Sequence, residues 1–150
     1  MNKNWTRWIS TSIYKHYDDR RDGIELYLEG TPRPKTQSVN RFELRIDGPA
    51  IAMITSGYFE LFVEINLLVQ TSKTETDPYK QVKNTGIGQI AFTAAIPIYK
   101  YGNGVDDNRT IQLGCLQLDS EIITTPFLAT PEGLLYTTIE GTYKMYLEEQ

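Results

Sequence analysis

The feature that most constrains this chain is the alternation over residues 58–70. Leu61, Val63, Ile65, Leu67 and Val69 occupy every second position, with Glu60, Glu64, Asn66 and Gln70 mostly between them. A repeat of two puts successive side chains on opposite faces, so this stretch is a half-buried strand. Residues 42–47, Phe-Glu-Leu-Arg-Ile-Asp, alternate in the same way, and Thr55-Ser56-Gly57 supplies the glycine that a tight reversal needs. Residues 41–70 therefore form a long hairpin with one apolar face. Such a face must be covered by something else in the chain.

The cover is found on either side of the hairpin. Between Asn4 and Tyr17, Trp5, Trp8, Ile9, Ile13 and Tyr17 recur at steps of three and four, the stripe of an amphipathic helix. Asn2 or Asn4 is the expected cap, and the charged run 18–23 ends the helix at Gly23. His16, the only histidine, falls beside the stripe near the helix end, where positive charge is tolerated. After the hairpin, Asp77-Pro78 reads as a helix start, with a helix from Tyr79 to about Phe92 carrying Val82, Ile90 and Ala91. Gly86 and Gly88 weaken that helix by about 1 kcal/mol each, which points to close approach of its backbone to the sheet.

Further strands are expected at 24–29, at 94–101, where Pro97 confines the strand to an edge or a bulge, at 111–119, where Gly114 marks a bulge, and at 134–147. The prolines between Thr125 and Gly133 break the chain before the last strand. Helix, strand, hairpin, helix and strands give an α+β fold in a single domain, 1–150. It is a largely antiparallel sheet with the N-terminal helix and the second helix packed on one face.

Chemistry is harder to find. His16 has no serine or cysteine partner in sequence, and Cys115 lies in an apolar strand where a buried thiol is expected. The paired acids Glu60 with Glu64, or Glu43 with Asp47, with Arg45 nearby, could hold a magnesium ion for phosphodiester cleavage, the nuclease reading; shared position on a charged strand face is the simpler one. No catalytic, cofactor or metal residue is assigned. The net charge of −4 argues against a surface that grips nucleic acid phosphates. Residues 1–8 lack the apolar core of a signal peptide, and no stretch approaches the ~20 apolar residues of a membrane span, so a reducing cytoplasm is the expected setting.

The motifs Asn40-Arg-Phe-Glu-Leu-Arg-Ile-Asp-Gly-Pro49, Tyr58-Phe-Glu-Leu-Phe-Val-Glu-Ile-Asn66, Asn84-Thr-Gly86, Ile96-Pro-Ile-Tyr-Lys-Tyr-Gly102, Leu113-Gly-Cys-Leu-Gln-Leu118 and Ile139-Glu-Gly-Thr-Tyr143 resemble the neck and tail-completion proteins of tailed bacteriophages. The element order is similar to that of their tail terminators. The resemblance implies a virion structural protein, no enzyme. It would form a homo-oligomeric ring, commonly of six subunits, that ends the tail tube and joins it to the connector at the head–tail junction. The implied partners are the adjacent neck, connector and tail tube proteins, with genomic DNA passing through unbound and no membrane. The implied location is the virion, reached from the host cytoplasm. Contacts between subunits or rings are expected from the loop 31–40 and the segment 99–109, through Arg33, Lys35, Arg41, Tyr99, Tyr101 and Arg109. Alternatives are another head-completion, stopper or baseplate component, or a cytoplasmic small-ligand module whose tyrosines line a pocket.

Overall fold

The computed structural model describes residues 4–31, 39–72, 79–101 and 109–148, with side chains in the last segment from residue 111. The first helix, α1, spans Trp5–Asp19. It is followed by β1 (Glu25–Leu28), β2 (Arg41–Thr55), β3 (Tyr58–Ser72), α2 (Lys80–Thr93), β4 (Ile96–Tyr101), β5 (Arg109–Leu118), the two-residue strands β6 (Ile123–Thr124) and β7 (Leu128–Ala129), and β8 (Leu134–Glu148). The strands run β1-β2-β3-β8-β5-β4 across one sheet, with β6 and β7 pairing on β8. The fold is α+β, as its alternation requires. Every pairing is antiparallel except β1 with β2, which run parallel in the register Leu26↔Phe42 and Leu28↔Leu44.

The long hairpin is present and reaches further than the alternation in its first half showed. Between Asp47 and Ala50 the β2–β3 register shifts by one residue, at a cis Gly48–Pro49 bond. Gly48 sits at φ +112°, and a Cβ there would stand 3.1 Å from the Phe62 carbonyl oxygen, so only glycine fits. The extra residue re-phases the strand. Before it the even positions Phe42 and Leu44 face the core; after it Ile51 and Met53 stand opposite Leu61 and Phe59 on that same face.

Both helices cover the core face. Helix α1 packs on β4 and also on β2, strands near opposite ends of the sheet order, so the sheet curls around it. Its buried stripe is Trp5, Trp8, Ile9, Ser12, Ile13, His16 and Tyr17. Ile9 and Ile13 are wholly buried, each contributing about 1.5–3 kcal/mol. Trp8 Nε1 donates to the Tyr101 carbonyl at 3.1 Å, and Ser12 Oγ accepts from the Tyr99 N–H at 3.0 Å beside a β4–β5 register shift. Helix α2 packs on β3 and β8. A Cβ on Gly88 would lie 2.9 Å from both Ile139 Cδ1 and Leu67 Cδ2, which is the close approach its glycine foreshadows; Gly86 has open space instead.

Several expectations are corrected. Asn4 precedes α1 in a helical conformation and makes no side-chain cap; its carbonyl accepts from the Trp8 N–H at 3.0 Å. Asn2 and the Asp77-Pro78 start signal lie outside the described residues. His16 is buried, and burial pushes its pKa below the ordinary value, so positive charge is disfavoured there. Val82 and Ile90 face outward; α2 buries Gln81, Asn84, Thr85, Gly88, Ala91 and Phe92. Cys115 is half-buried, with its Sγ 3.3 Å from the Gln112 side-chain amide. The 125–133 segment breaks as expected, yet β6 stands just before it and β7 within it.

Candidate interaction surface

The face of the sheet away from the helices carries the polar half of each alternation. Glu43, Arg45, Asp47, Glu64, Asn66 and Glu140, with Glu29 from beyond β1, line a shallow groove of about 460 Å³. The register explains the grouping, since Arg45, Asn66 and Glu140 stand side by side across β2, β3 and β8. Arg45 Nε lies 3.1 Å from Asp47 Oδ1 and 3.9 Å from Glu29 Oε2, and Asn66 Nδ2 donates to Asp47 Oδ2 at 3.3 Å. Its hydrogen bond to Asp47 holds the guanidinium pKa above its ordinary value.

This arrangement does not assemble the magnesium pairs. Arg45 occupies Asp47, while Glu60 and Glu64 are four residues apart on one strand, about 13 Å. Among the described residues no group of three or more histidine, cysteine or acidic side chains is placed to hold a metal. The groove is a net acidic surface with one internally neutralised cation.

The residues expected to make contacts are scattered. Arg33 and Lys35 lie outside the described residues. Arg41 opens β2, with Nε 3.3 Å from Glu43 Oε1. Tyr99 and Tyr101 lie on β4 and border a cleft of about 180 Å³ against Lys15 and His16 of α1 and Arg20 just after it. Tyr101 is buried beneath Lys15, whose Nζ sits 5.7 Å from the ring centroid, so it serves the chain's own packing. Arg109 opens β5 opposite Tyr101.

Exposed apolar side chains lie elsewhere, among them at two places that the alternation over 58–70 does not reveal. The first is the far end of the hairpin. β1 pairs with β2 only over Arg41–Leu44, so beyond Leu44 the outer edge of β2 meets no described strand. Along that edge residues 49–54 read Pro-Ala-Ile-Ala-Met-Ile, without a charge. Ile51 is 40% exposed, Met53 67% and Ile54 51%. β8 runs beside β3 to the tip, with Tyr58 opposite Glu148 and Phe59 opposite Leu147, so the tip is a three-stranded arm. The signal was present in the change of phase from Phe42, Leu44 and Ile46 to Ile51 and Met53 across Gly48-Pro49.

The second place is the outward face of α2 and the start that precedes it. Tyr79 is 68% exposed, Val82 53% and Ile90 71%. With Gly86 they recur at three- and four-residue steps, a helical stripe turned to solvent. Gln89 donates to Thr124 Oγ1 at 3.1 Å and brings β6, with exposed Ile123, alongside.

Neither a family model nor a curated protein matches the sequence. One solved structure, whose name states no function, is similar over 93% of this chain and 94% of its own, with a TM-score of 0.59 and 10% identity. That likeness concerns the fold alone. Among the described residues no helix is long and apolar enough to cross a membrane.

Proposed function

We propose that this chain is a structural subunit of a tailed-phage virion. In this reading copies form a ring at the head–tail junction that ends the tail tube and meets the connector. The observation that carries the reading is the apolar arm: an uncharged stretch over residues 49–54 along the outer edge of β2, with Ile51 and Met53 exposed. Pro49 and the register shifts at Asp47/Ala50 and Met53/Thr55 blunt this edge against strand addition, so what the arm offers another chain is its exposed apolar side chains rather than open N–H and C=O groups. An arm built this way suits a protein that works as part of an assembly.

The outer face supports the same reading. Four strand-borne carboxylates and Glu29 surround the single Arg45, whose charge is taken up by Asp47 and Glu29. A wall of that kind offers passing DNA no free cation, so a genome slides by without releasing counterions to bind.

The test is the mass of the purified protein over a range of concentrations, with two-dimensional averages in electron micrographs and immunoblotting of purified virions. A closed ring with a central hole, and its presence in virions, is the expected result. A monomer at every concentration and absence from virions overturns the reading. Labelled antibody then distinguishes a tail terminator from a stopper or other neck ring by its position in the particle.

A further inference from the structure

We infer that the free edge of β1 is a strand-addition site, which takes an extended segment of a partner protein carrying aliphatic and basic residues in alternation. The inference does not depend on the ring reading. β1 ends the sheet and pairs on one side only, with β2. In a parallel ladder alternate residues send their N–H and C=O to the same neighbour. The register Leu28↔Leu44, with the Glu29 N–H donating to the Leu44 carbonyl at 2.8 Å, gives Tyr27 and Glu29 to β2 and turns the backbone groups of Ile24, Leu26 and Leu28 outward.

Both ends of that edge are closed locally. The Ile24 N–H donates to the Arg21 carbonyl at 3.0 Å, and the Ile24 carbonyl accepts from Arg21 Nη1 at 3.1 Å. At the other end the Leu28 carbonyl accepts from the Thr31 N–H at 3.2 Å and from Thr31 Oγ1 at 2.6 Å. Between them the N–H and C=O of Leu26 and the N–H of Leu28 meet no partner among the described residues, although Leu26 is only 9% exposed. A donor and an acceptor left open on one nearly buried residue are matched by the N–H and C=O of an added strand.

Shape and charge specify that strand. Tyr14, Leu26, Tyr27, Leu28 and Thr31 line a hollow of about 300 Å³. Consecutive strand residues face opposite sides, so a hollow bordered by three in a row lies at the strand's edge. An aliphatic side chain paired with Leu26 enters it against Tyr14. On the other face stand Glu25, exposed and without a partner among the described residues, and Glu29, whose only close cation is Arg45 at 3.9 Å. Basic residues opposite these two carboxylates complete the pattern. A second copy of β1, paired about Leu26, brings Tyr27 and Gly23 to those positions and no cation.

The experiment uses the full chain and a fluorescein-labelled peptide with the core Lys-Val-Thr-Val-Lys. Saturable binding by anisotropy is expected, with the Leu26 and Leu28 amides becoming protected from hydrogen exchange. The core Glu-Val-Thr-Val-Glu should bind about tenfold more weakly, and so should the lysine peptide N-methylated at its three central residues, which cannot complete the ladder in either direction. The methylated peptide leaves the protein itself untouched. Leu28→Pro deletes an outward N–H and keeps the bonds of Tyr27 and Glu29 to β2, so it should weaken binding by a similar factor, with its fold checked by circular dichroism. Absence of binding, equal binding of the methylated peptide, or binding that leaves the Leu26 amide exchanging freely overturns the inference. A Leu26 amide already protected in the unliganded protein overturns it too, because the edge is then covered by the chain itself or by a second copy.

Discussion

His16 Nε2 lies 2.8 Å from the carbonyl oxygen of Ala91, so the imidazole of α1 donates to the last turn of α2, while its buried Nδ1 has no partner. The neutral ring satisfies this site. Protonation would place a second N–H where nothing accepts it, and burial, reinforced by Arg20 and opposed by the Ala91 bond and Asp19, lowers the pKa from 6.5. The unfolded chain therefore binds the proton first as pH falls. The His16 contribution to stability is complete above about 6.5 and is lost below it, at no more than about 1.4 kcal/mol per pH unit. Urea midpoints from pH 7.5 to 5 should decline, and His16→Gln should flatten that part of the slope attributable to this ring. Equal slopes in the two proteins would refute the assignment.

Tyr143 on β8 donates to the Phe92 carbonyl at 2.6 Å, and its oxygen lies 3.3 Å from the Tyr17 hydroxyl, which therefore donates to it. Burial pushes the Tyr143 pKa up to about 12, so the chain of hydroxyls stays neutral at ordinary pH. Tyr143→Phe strands both the Phe92 carbonyl and the Tyr17 hydroxyl and should cost about 1–3 kcal/mol. Tyr17→Phe keeps the bond to Phe92 and should cost less, about 0.5–1.5 kcal/mol. Equilibrium denaturation of the two variants checks the order.

The two glycines of α2 should respond with opposite signs. Gly86→Ala enters open space and gains helix propensity, stabilising by about 0.5–1 kcal/mol. Gly88→Ala drives a methyl to 2.9 Å from Leu67 and Ile139, and overpacking of about 1–3 kcal/mol exceeds the propensity gain. Thermal midpoints should therefore move up for the first and down for the second.

Gln81 is the polar knot beneath α2. Its Nε2 donates to the Val69 carbonyl and to Thr137 Oγ1, both at 3.0 Å, and its Oε1 accepts from Thr71 Oγ1 at 2.7 Å. Gln81→Leu preserves bulk and leaves three buried partners short, each orphaned group costing about 1–3 kcal/mol before relaxation. Gln81→Glu, which keeps the acceptor and loses both donors, should also destabilise. Chemical denaturation of both variants tests whether this knot, rather than apolar contact alone, holds α2 on the sheet.

The strands were legible because each shows its own face in sequence: Leu61 through Val69 is a local pattern, and β8 repeats it with Ile139, Tyr143, Met145 and Leu147. The N-terminal stripe was legible for the same reason. Ser12 and His16 were not, since their burial depends on Tyr99 and Ala91, which arrive from distant parts of the chain. The facing of helix α2 was not legible, for a related reason. Its apolar Val82 and Ile90 stand outside, and Gln81, Asn84 and Thr85 stand inside, because polar partners on β3 and β8 and the small Gly88 decide which side lies down.

The surface followed the same division. A sequence places Arg41, Tyr99 and Tyr101 near loops, yet Tyr101 is spent on Trp8 and Lys15, and the apolar patches are Ile51 with Met53 and Tyr79 with Ile90. By itself the order of residues determined the α+β class, the hairpin and the helical stripe of α1, because backbone geometry converts a period of two or 3.6 directly into a face. Which faces found a cover, that β1 runs parallel to β2, and that Ile51 and Met53 beyond Gly48-Pro49 stay exposed were decided only in three dimensions. Those outcomes depend on contacts between segments tens of residues apart, which no local period encodes.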